Sequence, residues 1–313
     1  MQVAEEQGPE GLRRLRLTGE ALEVELLPEL GGKLVALRRR ASGRNVLLEP
    51  PEHPYRPAHP GADFSLFDTS GWDECFPCVG PGPSPDVPGL ALPDHGEVWS
   101  QPWTWRVEGE ALVTEARGLH VPSRFERRLT LQGETLRLDY AVHALGPRPL
   151  RYLWSVHPLL AVSPGSRVVL PAEVTSVQVE GSADLGPHGT HVPWPRAPGG
   201  RALDLLAGPG PRLADKLFTP PLRQGACALH DAASDESVTF RFDPARLPHV
   251  GLWLCQGGWP GGGRPPHFTA ALEPCTAPAD ALDARSGRWL QPGGTERWWL
   301  EVALRAGPPN LKG

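Results

Sequence analysis

Apolar residues recur at every second position in segments spread along the whole chain: Leu22, Val24 and Leu26; Leu136, Leu138, Tyr140 and Val142; Val238, Phe240 and Phe242; Trp298, Leu300, Val302 and Leu304. A period of two puts alternate side chains on one face of a strand, and that face must be covered. No segment carries a comparable helical stripe. Three turns, Thr18-Gly19-Glu20-Ala21, Glu108-Gly109-Glu110-Ala111 and Gln132-Gly133-Glu134-Thr135, lie between alternating segments and offer a glycine where a positive φ is needed. They predict three antiparallel hairpins. With strand signals from about residue 12 to about 305, the expected class is all-β, a large antiparallel sandwich.

The 313 residues could form two ordinary domains, but β folds often exceed 200 residues around one core. Pro/Gly-rich stretches at 80–93, 186–211 and 257–266 lack the composition shift of a domain boundary, so they read as long surface loops on a single domain, with its core at about 10–305. The 36 glycines and 38 prolines approach the level of a disordered chain, yet 11 tryptophans and regular patterning favour a folded one. The apolar runs are too short to cross a bilayer as helices, and 31 basic against 36 acidic residues leave no basic tract for nucleic acid or an anionic membrane. The start, MQVAEEQGPEG, lacks a charged segment followed by an apolar one. Five cysteines, an odd number, do not suggest a disulfide framework. A cytoplasmic protein, monomeric or homodimeric, is expected.

Several common chemistries lose their support. The sequence holds no G-x-G-x-x-G after a strand, no P-loop, no G-x-S-x-G and no H-E-x-x-H. Cys75-Phe-Pro-Cys78 has the spacing of half a zinc site without a second half, and His188-Gly-Thr-His191 lies in a loop without a nearby carboxylate, so no metal is expected.

Four polar residues interrupt apolar, strand-like sequence: His95 in LPDHGEVW, His157 in WSVHPLL, Asp215 in ADKLF and Glu273 in AALEPCTAP. Each alone has a structural explanation, as a satisfied core residue or a strand end. Together, in this order, they resemble the aldose 1-epimerase (galactose mutarotase) family. The matching segments are His95-Gly96-Glu97-Val98-Trp99, His157-Pro158, Asp215-Lys216-Leu217-Phe218 and Leu272-Glu273-Pro274. The resemblance spans about residues 10–305 and implies a β-supersandwich. One departure stands out: best-known members carry an arginine in a G-R segment upstream of the H-G motif, whereas this chain reads Ser70-Gly71-Trp72-Asp73-Glu74. Carboxylates accept hydrogen bonds from sugar hydroxyls but do not donate them when ionised, so Asp73 and Glu74 are expected to replace that recognition in a divergent branch.

The resemblance implies an isomerase that interconverts the α and β anomers of a hexose or related aldose, with no cofactor. Opening a cyclic hemiacetal needs one group to take the anomeric proton and another to protonate the ring oxygen. The resemblance assigns the base to Glu273 and the acid to His157, the latter kept protonated by neighbouring negative charge. It gives His95 and Asp215 to the sugar hydroxyls. Trp99, Trp253 and Trp259 are candidates to pack on the sugar's apolar face, or to anchor the core, and Gln256 is one further polar contact. Two alternatives remain: a sugar-binding or sensing protein without catalysis, and a hexose-phosphate epimerase, for which Arg223 and Arg264 are the available guanidinium groups.

Overall fold

The computed structural model of the chain describes residues 1–311. Among them, helical structure is confined to three 3-10 turns, Pro9–Gly11, Pro28–Leu30 and Phe64–Leu66. Everything else that is regular is strand, most of it in two large antiparallel sheets beside two small two-stranded ones. An eleven-stranded sheet runs from Gln2–Gln7 through Arg13–Thr18, Leu22–Leu27, Lys33–Arg39, Trp72–Cys75, Ser155–Ala161, Phe268–Cys275, His249–Gln256, Leu213–Phe218 and Ser176–Gly181 to His191–Pro193. The nine-stranded sheet has Glu236–Phe242, Thr295–Ala306, Thr135–Ala144 and Ser123–Gln132 at its centre. This is the all-β sandwich that the alternation predicts.

The alternation works as read. Leu136, Leu138, Tyr140 and Val142 are all buried, and the register sets the first three opposite Val302, Leu300 and Trp298. Tyr140 and Trp298 stack with ring centroids 5.6 Å apart. One apolar cluster draws residues from both sheets, from Leu15 and Leu26 to Phe240 and Leu304. Burying such side chains stabilises the fold by roughly 1.5–3 kcal/mol each, and among the described residues no helix is long and apolar enough to cross a membrane.

All three hairpins form. Gly109 and Gly133 take positive φ, 59° and 55°, as expected. Gly19 does not; a Cβ there would come within 3.0 Å of the Leu131 Cβ, so close approach, not backbone handedness, calls for glycine. The Pro/Gly-rich stretch 257–266 is a loop as expected, whereas 80–93 and 186–211 also contain short strands. Gly82–Pro83 pairs with Ala91–Leu92, His191–Pro193 closes the edge of the first sheet, and Leu205–Leu206 extends the second. All five cysteines are free and buried, and the Cys78 thiol donates to the Pro93 carbonyl at 3.2 Å.

Candidate active site

The centre of the eleven-stranded sheet brings Trp72–Cys75, Ser155–Ala161, Phe268–Cys275, His249–Gln256 and Leu213–Phe218 side by side. Register pairs Asp73 with His157, Gly251 with Glu273, and Lys216 with Trp253. Because side chains alternate, Asp73, His157, Glu273, Trp253 and Lys216 leave the sheet on the face turned away from the other sheet. Val156, Leu272, Leu252 and Leu217 leave on the opposite face and join the core. Gly251 is where a side chain is missing: a Cβ there would meet Phe218 at 3.0 Å and the Glu273 Oε2 at 3.1 Å. The glycine leaves room for the carboxylate to lie across its neighbour strand.

Above this face lies a cavity of about 250 Å³, whose lining includes His157, Lys216, His95, Trp253, Trp259 and Asp280. Trp253 and Trp259 meet edge to face, 6.2 Å between centroids. His95 arrives from the connecting segment with φ 58°, a conformation uncommon outside glycine. Several contacts fix it there. Its backbone N–H donates to the Val79 carbonyl at 2.6 Å, its Nδ1 lies 3.1 Å from Asp94, and its ring stacks on Phe64 at 3.9 Å. Gly96 has φ 73° and lies so close to the Phe76 carbonyl that a Cβ would be 2.2 Å from it, so the H-G pair marks a backbone corner as well as a side chain. Glu97 anchors the following turn by accepting from the N–H groups of Leu119, His120 and Val121.

The His157 Nε2 lies 3.9 Å from the Glu273 Oε1, and the two His rings meet edge to face at 4.9 Å. The Glu273 side chain has 0% exposure, whereas His157 and Lys216 keep 10% each, turned to the cavity. The Lys216 ammonium contacts Glu273 Oε2 directly and lies 3.5 Å from Asp280. Burial opposes that ammonium, but Asp280 and Glu273 outweigh it and hold the Lys216 pKa above its usual value. Burial pushes the Glu273 carboxyl up, with Lys216 pulling the other way. His157 goes well down: burial, His95, Lys216 and Lys33 all disfavour the imidazolium. The expectation of a protonated His157 is therefore corrected. Burial and the neighbouring Lys216 and Lys33 favour the neutral ring over the imidazolium.

Of the residues predicted for the site, His157, His95 and Trp259 line the cavity, and Trp253 does as well. Glu273 forms the sealed layer beneath. Asp73 shares that layer, fully buried, 2.8 Å from the Lys33 ammonium, which also reaches Asp68 at 2.7 Å. Burial, eased by Lys33, raises the Asp73 pKa to about 6. Where an upstream arginine was expected to be replaced by carboxylates alone, a lysine from the strand Lys33–Arg39 supplies a cation, one that lies under the site and not in it.

Four expectations need correction. Glu74 is one residue out of phase with Asp73 and points into the core, where it accepts from Arg127 at 3.0 Å, Tyr140 at 2.9 Å and Trp154 at 3.1 Å. Asp215 pairs in register with Leu254 and shares the core-facing phase of Leu217; its carboxylate is taken by Arg201 at 2.7 Å and Ser182 at 2.6 Å. Trp99 is buried behind Phe64 and Phe67, its indole N–H donating to the Asp94 carbonyl at 2.9 Å. Gln256 accepts from the Ala207 N–H at 2.8 Å and is buried away from the cavity lining. Neither phosphate-binding candidate lines the cavity: Arg223 is exposed beside Glu173, and Arg264 is held by Glu52 at 2.9 Å and the Ser65 carbonyl at 2.8 Å. Sequence reasoning missed Lys216, Phe64 and Asp280. For Lys216 the signal was present, since in Leu213-Ala-Asp-Lys-Leu-Phe218 the apolar Leu217 fixes the core phase on Asp215 and gives the other to Lys216.

No protein-family model matches the chain, and no curated protein matches it in sequence. Solved structures do. The chain is similar to a protein from Synechocystis sp. PCC 6803, with a TM-score of 0.72 and 16% identity over 95% of this chain and 97% of that one. It is similar to a galactose mutarotase-like protein from Lactobacillus casei ATCC 334, with a TM-score of 0.66 and 14% identity over 93% of this chain and 100% of that one. A galactose mutarotase related enzyme from Lactobacillus acidophilus gives a TM-score of 0.68 and 15% identity over 95% of this chain and 99% of that one. The fold is thus the galactose mutarotase-like β-sandwich; at these identities the likeness concerns the fold alone.

Proposed function

We propose that the protein is an isomerase of the aldose 1-epimerase type, acting on the anomeric centre of a monosaccharide. One observation carries the reading: adjacent strands set the His157 imidazole, which lines a cavity with Trp253 and Trp259, 3.9 Å from the buried Glu273 carboxyl beneath it. About 250 Å³ is below the roughly 300–1,000 Å³ of pockets for drug-sized ligands, which suits one sugar ring better than a chain of them. The indole faces match the C–H surface of a pyranose, and His95 and Asp94 offer polar contacts at the rim.

In this reading His157, starting neutral, takes part in the transfer of the anomeric proton, and the Glu273–Lys216 couple serves the ring oxygen. Both transfers are reversed when the ring closes on the other face. Two positioned groups suffice for such a step, each type worth typically 10²–10⁴-fold. The test is polarimetry of fresh α-D-glucose and α-D-galactose. Wild type is expected to exceed the spontaneous rate, and His157→Asn and Glu273→Gln to lose most of the excess. Glucose 6-phosphate is expected to be no better a substrate, because Asp94 and Asp280 line the cavity. Wild type that never exceeds the spontaneous rate with any common aldose removes the proposal.

A binding-only reading draws on one feature, the complete burial of Glu273 beneath Lys216. Saturable sugar binding by calorimetry without faster mutarotation would select it.

A further inference from the structure

The cavity wall offers a proton donor outside the expected set of residues. A sugar in the cavity meets His157 and Lys216, both of which reach its wall, whereas Glu273 has no exposed surface and its Oε2 is covered by Lys216. An ammonium carries three N–H donors. Glu273 accepts one of them, Asp280 lies 3.5 Å away as an ion-pair partner, and no further acceptor of this ammonium is seen among the described residues. At least one donor is therefore left for whatever fills the cavity. The two carboxylates also fix where it points, since Glu273 comes from the strand beyond His249–Gln256, and Asp280 is pinned through its carbonyl, which accepts from the Val79 and Gly80 N–H groups at 2.9 and 2.7 Å.

We propose that Lys216 is the second catalytic residue: its ammonium donates to the ring oxygen of the bound sugar, His157 takes the anomeric proton, and Glu273 and Asp280 position the donor. The inference rests on the isomerase reading of the same site and deepens it. In ring opening the anomeric O–H proton passes to a His157 ring nitrogen, the C1–O5 bond breaks as C1=O forms, and O5 takes a proton from Lys216, leaving a neutral amine and an imidazolium. After rotation about C1–C2 the amine takes the O5 proton back and the imidazolium returns its proton to O1, so nothing is consumed. Burial shifts His157 toward the neutral ring and the carboxylates shift Lys216 toward the ammonium, the states this sequence starts from; the amine–imidazolium pair it passes through is the less favoured one. Groups facing Lys216 from the packed elements are Glu273 and Cys275 on one strand, His157 three strands away with Cys75 on the strand beyond it, and Asp280 and Glu180 from the flanking segments.

The test compares mutarotation of α-D-glucose by wild type, Lys216→Met, Glu273→Gln and the double variant Lys216→Met/Glu273→Gln, which keeps the floor free of an unpaired buried charge and so guards against misfolding. Lys216→Met and the double variant are expected to lose at least ~100-fold in kcat. Glu273→Gln is expected to lose less, since Asp280 still holds the ammonium. Lys216→Cys, alkylated with 2-bromoethylamine, restores an ammonium that is less basic; it is expected to recover activity and to show a basic limb in kcat at lower pH than wild type. The five native cysteines are buried and none lines the cavity, whereas position 216 does, which directs the reagent there. If wild type accelerates mutarotation while Lys216→Met stays within ~3-fold of it, or Glu273→Gln loses as much as Lys216→Met, or the alkylated variant recovers nothing, Lys216 is not the donor. If wild type itself shows no acceleration, the isomerase reading fails and this assignment falls with it.

Discussion

Removing Arg127 should be among the most damaging single changes in this protein, although it lies outside the cavity lining. Its side chain and that of Glu74 both have 0% exposure, and Arg127 Nη1 donates to Glu74 Oε1 at 3.0 Å. A second guanidinium nitrogen donates to the Gly32 carbonyl, and the group sits 4.8 Å from the Trp103 ring. Arg127→Met leaves Glu74 with Tyr140 and Trp154 as donors but no countercharge at a fully buried position. Breaking a buried pair from one side costs about 3–5 kcal/mol. Arg127→Met/Glu74→Leu removes both charges, and such replacements are often neutral or better. The double variant is therefore expected to be more stable than Arg127→Met by at least ~2 kcal/mol, against a total stability of roughly 5–15 kcal/mol. Guanidinium chloride unfolding gives the values, with an unchanged slope required for the comparison. If Arg127→Met costs less than ~1 kcal/mol, the pair is not the dry, mutually dependent contact described. The same series tests the placement of Glu74: folded Arg127→Met/Glu74→Leu should bind sugar as wild type does, and a loss of sugar affinity in it would return Glu74 to recognition.

Gly251→Ala puts a methyl group 3.0 Å from Phe218 and 3.1 Å from Glu273. It should cost about 1–3 kcal/mol by overpacking, and a displaced carboxylate is expected to reduce mutarotation more than it reduces stability; equal activity per folded molecule would show that Glu273 needs no such clearance. For Asp73 the folded pKa, about 6, lies above the ordinary 3.8. The folded state thus holds this proton more tightly, and its contribution is fully present below pH 4 and lost as pH rises through 6. At about 1.4 kcal/mol per pKa unit the loss is on the order of 2–3 kcal/mol. Unfolding midpoints across pH 4 to 7 should show this fall in wild type and not in Asp73→Asn, which cannot titrate; parallel curves would refute the assignment.

The class of fold was legible because burial of a two-sided strand leaves its mark on every second residue. Leu136, Leu138, Tyr140 and Val142 can be read off the chain and found in the core. The site was legible in part for a related reason. His157 and Glu273 sit at phases where strand sequence turns polar on the outer face, and so they stand out. Asp215 and Glu74 show where the reading stops. Each is a carboxylate in the right strand but on the wrong face, and each is satisfied by a guanidinium from another segment, Arg201 or Arg127, which no local pattern connects to it. A polar residue in apolar sequence signals a partner, and the sequence does not say whether the partner is a ligand or another side chain. Phase decides between them. Asp73 and Glu74, or Asp215 and Lys216, differ by one position and therefore by the full thickness of the sheet. Applying the alternation to each motif, with Leu217 and Trp72 as core markers, moves Glu74 and Asp215 inward and brings Lys216 to the cavity. Lys33 and Asp280 escape even that rule, because each reaches the neighbourhood of Asp73 and Glu273 only through the order of strands in the sheet and the path of the loop that crosses it.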